Sequence, residues 1–176
     1  MKNVIRGGLL ASVLLTFGCN AKTAATPENY IATLNAYFAD HPDCLLADVQ
    51  FPYETSSPVE RKQMDALAVA QMVEGHEELA IHVSRYTLTE AGKRMGPHFC
   101  FGHRQITSIL SNTPAAVENG FQETHIIYQY AMADVPVWAK TPEVVAAFPK
   151  ITAATSGQAR ARSTLALTGV GWSVPE

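Results

Sequence analysis

The chain has 176 residues, of which 47% are hydrophobic and 16% charged, and its formal net charge is −3. This length supports one well-packed core or two small lobes. Because 16 acidic residues outnumber 13 basic ones, the composition argues against nucleic acid, which is held by phosphate neutralisation. It also supplies no polybasic surface for anionic lipid.

The first element is a short apolar run preceded by basic residues. Lys2 and Arg6 precede an uncharged, mostly apolar segment at residues 7–17. This order is typical of a secretory signal, whereas a membrane-spanning helix needs about 20 apolar residues. We therefore predict that residues 1–18 are a signal peptide and that the remainder is exported. Without Lys2 and Arg6, 11 basic residues face 16 acidic ones, and the net charge becomes −5.

Gly18 and Cys19 follow the apolar run. A cysteine after a small residue resembles the processing site of a bacterial lipoprotein, where the cysteine becomes the diacylglycerol-bearing N-terminus. Thr16 and Phe17 depart from that pattern. The resemblance implies lipidation of Cys19; the competing interpretation is ordinary cleavage after Ala21, which would discard this cysteine.

The residues after Cys19 bear on where the anchor would lie. Asn20 resembles the residue found at this place in lipoproteins sorted to the outer membrane of Gram-negative bacteria, which implies the periplasmic face of that membrane. Residues 19–26 are mostly small and polar. We predict that they form a lipidated tether, which holds a single domain of residues 27–176 close to the bilayer.

Either cleavage route leaves Cys44 and Cys100 as the remaining cysteines. An even number of cysteines in an exported chain predicts a disulfide. The alternative is a pair of buried free thiols, which are common in protein cores.

A threonine or serine followed by proline predicts the start of two helices. The first begins at Thr26 and ends at His41. The second begins at Ser57, where Glu60 is placed to complete a capping box, and ends near Met72. The apolar residues predicted to be buried by these helices are Ile31, Leu34, Tyr37, Phe38, Met64, Leu67, Ala68 and Met72.

Beyond residue 97 the sequence becomes aromatic and β-branched with partial alternation, which predicts an antiparallel sheet of three or four strands. The strands are expected within residues 98–109, 121–135 and 163–174, with a short helix at residues 141–148 and a polar loop at residues 151–162.

The stretch from Val59 to Met95 contains a helix pattern followed by a Y-x-L-T-x-x-G pattern, carried by Met64, Leu67, Met72, Tyr86, Leu88, Thr89 and Gly92. It resembles a winged-helix domain of the MarR or PadR repressor kind. Together with the sheet predicted from residue 98 onward, the resemblance predicts an α+β fold. It has a winged-helix-like helical N-terminal half, residues 27–97, and an antiparallel β-sheet C-terminal half, residues 98–176. We do not expect DNA binding, because Glu74, Glu77 and Glu78 follow the helix and would repel phosphate.

The sequence contains no HExxH, GxSxG or GxGxxG motif. His98 and Cys100 could share a strand face, but His103 has the opposite parity, and a zinc site needs three or four converging ligands. We therefore predict no catalytic residue, no metal site and no cofactor, and we lean against an enzyme.

Four aromatic residues in the β-rich half, Tyr128, Tyr130, Trp138 and Trp172, could line a ligand pocket, although aromatics at such spacing are more often core. The leading hypothesis is a non-enzymatic, lipid-anchored envelope protein that binds another envelope protein as an adaptor or inhibitor. The alternative is a periplasmic domain that binds a small ligand or glycan, or hydrolyses one, in a pocket of the β-rich half.

Overall fold

A computed structural model describes residues 22–80, 82–96 and 98–175. The predicted signal peptide and Cys19 lie outside the described residues. The elements, in chain order, are α1 (Pro27–Asp40), β1 (Tyr53–Thr55), α2 (Pro58–Val69), β2 (Val73–Glu78), β3 (Val83–Leu88), α3 (Glu90–Met95), β4 (His103–Asn112), β5 (Ala116–Glu118), β6 (Phe121–Ala133), a 3-10 helix (Val137–Lys140), α4 (Pro142–Ala147), α5 (Pro149–Thr155), β7 (Ala159–Thr168) and β8 (Gly171–Ser173).

These strands form two antiparallel sheets. The first sheet has three strands in the order β1-β3-β2, and the second has the order β4-β6-β7-β8 with β5 paired to the start of β6. Strand β6 lies at the centre of the second sheet, where Ile126, Tyr128 and Tyr130 alternate into the core. This alternation follows from the two-residue side-chain period of a strand.

Helix α1 covers the second sheet, packing on β4 and β8. It buries Tyr30, Leu34 and Phe38, and the Tyr30 ring meets the Trp172 ring edge-on at 5.3 Å. Helix α2 instead packs on β2 and on α4, so it contacts a helix that lies more than 70 residues further along the chain.

The predicted winged-helix-like helical N-terminal half followed by a C-terminal sheet is therefore wrong. The fold is α+β, but strands dominate it, and the three-stranded sheet lies within residues 27–97. Residues 41–57 between α1 and α2 contain no helix, whereas a helix-turn-helix needs two helices joined by a short turn. Because α1 packs on the second sheet rather than beside α2, the compact helical lobe does not form.

The capping residues correctly predicted where α1 and α2 begin. The Thr26 side chain accepts a hydrogen bond from the Asn29 amide at 3.4 Å, and the Ser57 side chain accepts one from Glu60 at 3.5 Å. The Glu60 carboxylate accepts a hydrogen bond from the Thr55 hydroxyl, which in turn accepts one from the Ser57 amide at 3.0 Å. The second cap is thus relayed through Thr55 rather than closed by Glu60 directly.

Two boundaries differ from the sequence-based expectation. Helix α2 ends at Val69 rather than near Met72, because Gln71 adopts a left-handed backbone with φ of 62°. The predicted polar loop at residues 151–162 instead contains most of α5 and the first part of β7. Pro149 occupies the start of α5, where its fixed φ favours a helix.

The predicted disulfide is confirmed: Cys44 and Cys100 are bonded. The bond joins the loop after α1 to the segment before β4. Beside it, Arg104 donates two hydrogen bonds to Asp43, from Nε to Oδ2 at 2.8 Å and from Nη2 to Oδ1 at 3.0 Å. The disulfide and this ion pair fasten the same loop to the second sheet.

Candidate functional site

The four aromatic residues predicted to line a pocket are all largely buried, and they do not share one cavity. Tyr128 and Tyr130 lie 6.2 Å apart on β6, beneath Arg104. Trp138 stacks edge-on against Phe99 at 5.8 Å. Trp172 borders a different groove beside α1, so the structure brings together only the two tyrosines.

Trp138 instead forms part of an open groove bordered by exposed apolar side chains. Three of these protrude from different elements: Val69 ends α2 and is 62% exposed, Met95 ends α3 and is 46% exposed, and Val137 begins the 3-10 helix and is 82% exposed. We call this cavity of about 440 Å³ the apolar groove; its lining residues are Val69, Ala70, Gln71, Met72, Ala91, Arg94, Met95, Pro136, Val137, Trp138 and Thr141.

The walls formed by α2 and α3 are fixed to each other by Thr89 and Gly92. The Thr89 hydroxyl donates to the Gln71 carbonyl at 2.6 Å and also accepts a hydrogen bond from the Gly92 amide at 3.0 Å. A side chain at Gly92 would come within 2.0 Å of the Met72 carbonyl oxygen. The close approach of α3 to the end of α2 therefore depends on a glycine at this position.

The floor of the groove is formed by a later part of the chain, the 3-10 helix and the residue before α4. The Thr141 hydroxyl donates to the Trp138 carbonyl at 2.9 Å, which secures the 3-10 helix against α4. The Trp138 indole nitrogen is buried and has no hydrogen-bond partner among the described residues. A buried indole N–H usually has a partner, so Trp138 is an exception within the described part of the chain.

The electrostatic character of the groove is simple. Within the part of the chain that the structure describes, Arg94 is the single charged side chain among its lining residues. Arg94 is exposed and lies near Glu90, whose pKa is lowered chiefly by a hydrogen bond from Lys93. The groove thus combines an apolar floor with a cation at its rim, which suits an apolar group that carries a carboxylate nearby.

Comparisons with protein-family models, curated proteins and solved structures found no match for this chain. The geometry of the surface is therefore the basis for any functional proposal.

A second groove, of about 520 Å³, lies between α2 and the β2–β3 hairpin and is polar. Tyr86 is buried beneath it and donates a hydrogen bond to Asp65 Oδ1 at 2.7 Å. Burial, followed by that hydrogen bond, raises the pKa of Tyr86 to about 12. Arg61 Nε is enclosed without a hydrogen-bond partner in the described chain. This polar groove offers two unlike chemistries, a guanidinium and a carboxylate, on adjacent turns of α2.

The histidines considered as metal ligands are dispersed. His98 Nδ1 lies 3.1 Å from the Leu46 carbonyl oxygen, and His103 Nδ1 lies 3.5 Å from Asp134 Oδ2. Cys100 is in the disulfide. Among residues 22–80, 82–96 and 98–175, no three His, Cys, Asp or Glu side chains are grouped as metal ligands. No helix of this same part is long and apolar enough to span a membrane.

Sequence reasoning missed the apolar groove. Val69 is out of phase with the buried positions Met64 and Leu67 on α2, and this was a usable sign that it faces outward. Met95 and Val137 gave no comparable sign, because each lies at the edge of a short element whose packing depends on distant residues.

Proposed function

We propose that this chain is an exported, lipid-anchored envelope protein that binds a partner protein through the apolar groove. The observation that carries the proposal is the convergence of Val69, Met95 and Val137, all strongly exposed, around the buried Trp138 ring. Single exposed apolar residues are ordinary on a protein surface, whereas several around one groove indicate an interaction site. Recognition needs no catalytic group, so the protein acts as an adaptor or inhibitor.

The chemistry of the groove specifies the partner. An apolar side chain would fill the space over Trp138, and an aspartate, a glutamate or a chain-terminal carboxylate would pair with Arg94. The partner segment is therefore apolar and acidic.

Export is supported by the Cys44–Cys100 disulfide, because disulfides persist in oxidising compartments such as the periplasm. Anchoring at Cys19 rests on the resemblance of residues 1–19 to a lipoprotein signal. The intact mass of the mature protein from bacterial membranes tests both. We expect an acylated N-terminal Cys19 and, upon reduction, a gain of about 2 Da as two hydrogens are added to the disulfide. A mature chain that begins after Ala21 would refute the anchor.

The binding proposal is tested by selecting random displayed peptides on the wild-type protein alone and then measuring how the selected peptides bind Val137→Asp. The selected peptides should share an apolar residue next to an acidic one. Val117→Asp is the matched control, because Val117 is 80% exposed, much like Val137 at 82%, but does not line the groove. Selected peptides without an acidic residue, or peptides that bind both variants equally, would contradict the proposal.

A second candidate function is binding of a small anionic ligand in the polar groove, favoured by the enclosed, unpartnered Arg61 Nε. Small carboxylates whose binding is lost in Arg61→Met and retained in Val137→Asp would support it over the apolar groove. Equal binding of the carboxylate by both variants would exclude the polar groove as its binding site.

A further inference from the structure

The first described residues, which we expected to form part of a tether, lie in fixed contact with the domain. The Trp172 indole nitrogen donates to the Ala24 carbonyl at 3.2 Å, and the Asn29 side-chain amide donates to the same oxygen at 2.9 Å. Lys22 lies against Gly171: its carbonyl oxygen is 3.1 Å from where a Cβ on that glycine would stand. Residues 22–26 are therefore held on the surface made by α1 and the turn between β7 and β8.

This contact limits how far Cys19 can lie from one end of the domain. Cys19 precedes Lys22 by three residues, and an extended chain spans at most about 3.6 Å per residue. The Cα atom of Cys19 is thus within about 11 Å of that of Lys22. An acyl chain on Cys19 is inserted in a bilayer, so Lys22 must lie close to the headgroups.

The surface next to Lys22 has a character that fits a lipid bilayer. Val170, at the tip of the β7–β8 turn, is 86% exposed. It borders a groove of about 520 Å³ whose lining includes Ala36, the half-buried Tyr37, Asp40 and His41. Aromatic and aliphatic side chains beside a lysine suit the boundary between headgroups and acyl chains.

We propose that the surface formed by Lys22, Tyr37 and Val170, here called the β7–β8 end, is the face of the domain that rests on the membrane. This inference depends on the lipid anchor in the proposed function. The β7–β8 end is built from α1 and the β7–β8 turn, whereas the apolar groove is built from α2, α3 and the 3-10 helix. The two surfaces share no lining residue, so we assign lipid contact to the first and partner binding to the second.

Fluorescence quenching on the acylated, full-length mature protein tests the orientation. The protein is reconstituted in vesicles of phosphatidylethanolamine and phosphatidylglycerol, with an environment-sensitive label on Val170→Cys or Val137→Cys. We expect nitroxide-bearing lipids to quench the label at residue 170 at least threefold more than the label at residue 137. Iodide in the water should show the reverse order.

The outcomes separate the orientation from the anchor. If the mass shows no acyl group or the protein leaves the vesicles, the lipid anchor fails and the orientation fails with it. If the protein is acylated and bound, but the label at residue 170 is quenched by iodide as strongly as the label at 137, the orientation alone is refuted.

A variant with eight Gly and Ser residues inserted before Lys22 provides a second measurement. Such an insertion adds roughly 15 Å of flexible reach, so the lipid quenching at residue 170 should fall by at least half while acylation persists. Unchanged quenching would mean that the short connection does not set the orientation, and it would overturn the inference.

Discussion

The ion pair between Asp43 and Arg104 should be the most sensitive polar contact in the fold. Arg104 is held over the rings of Phe38, at 4.9 Å, and Tyr130, at 5.1 Å. Its side chain is 24% exposed and that of Asp43 is 12% exposed. Hydrogen bonds to Asp43 raise the pKa of Arg104 above its ordinary value. Because an arginine guanidinium is in any case not deprotonated in proteins, it stays charged when this partner is removed.

Replacing Asp43 with Ala leaves that charge enclosed without its two hydrogen bonds. Breaking such a buried pair from one side costs about 3–5 kcal/mol. For a domain of this size, each kcal/mol shifts Tm by roughly 2–4 °C. We therefore expect Asp43→Ala to lower Tm by about 6–20 °C. Lys150, at 3.9 Å from Asp43 and 58% exposed, adds little because water screens it.

Thermal and urea unfolding followed by circular dichroism measures this loss. Glu54→Ala is the control: the Glu54–Arg85 pair is 50% exposed on both sides and should contribute under about 1 kcal/mol. Replacing both members, as Asp43→Leu with Arg104→Met, should recover much of the loss, since no lone charge is then buried. If Asp43→Ala costs no more than Glu54→Ala, the reasoning about the buried charge is refuted.

Three further predictions concern the disulfide, a buried tyrosine and a glycine contact. The double variant Cys44→Ala with Cys100→Ala should lower the free energy of unfolding in urea by about 4 kcal/mol, because the bond no longer restricts the unfolded chain. A loss below about 1 kcal/mol would contradict this prediction. Burial raises the pKa of Tyr86 from 10.0 to about 12. As pH rises, the unfolded chain therefore loses this proton before the folded chain does. The free energy of unfolding should fall between about pH 10 and 12. In Tyr86→Phe the same pH titration of stability should show a smaller fall; an unchanged slope would refute the assignment. Gly92→Ala should cost about 1–3 kcal/mol by chemical denaturation, because its Cβ meets the Met72 carbonyl, whereas Gly169→Ala, with no atom within 4 Å of its Cβ, should be neutral.

Local chemistry in the sequence was enough to predict several elements. The Thr26 and Ser57 caps depend on residues within a few positions of each other, and so does the alternation that buries Ile126 and Tyr128. The disulfide followed from an even count of cysteines in a chain predicted to be exported. Each of these depends on short-range geometry or on a count, which a single sequence carries.

The tertiary arrangement depends on contacts that no local pattern contains. Helix α1 has an apolar stripe that fits a helical lobe or a sheet equally well. Its packing on β4 and β8 is decided by residues roughly 70 and 140 positions further along the chain. The acidic strand β2 lacks the usual strand composition and forms because β3 supplies its partner. The apolar groove likewise needs Val69, Met95 and Val137 to converge. In the sequence, such exposed apolar residues cannot be told from the apolar residues of the core.

The most direct test of the groove is the affinity of a selected acidic, apolar peptide for three proteins, measured by isothermal titration calorimetry. The account predicts that Val137→Asp binds at least tenfold more weakly than the wild type, because a carboxylate would replace methyl groups that the bound peptide covers and would repel the acidic peptide. Val117→Asp should bind like the wild type. Equal affinity for the wild type and Val137→Asp would contradict the claim that this groove is where a partner binds.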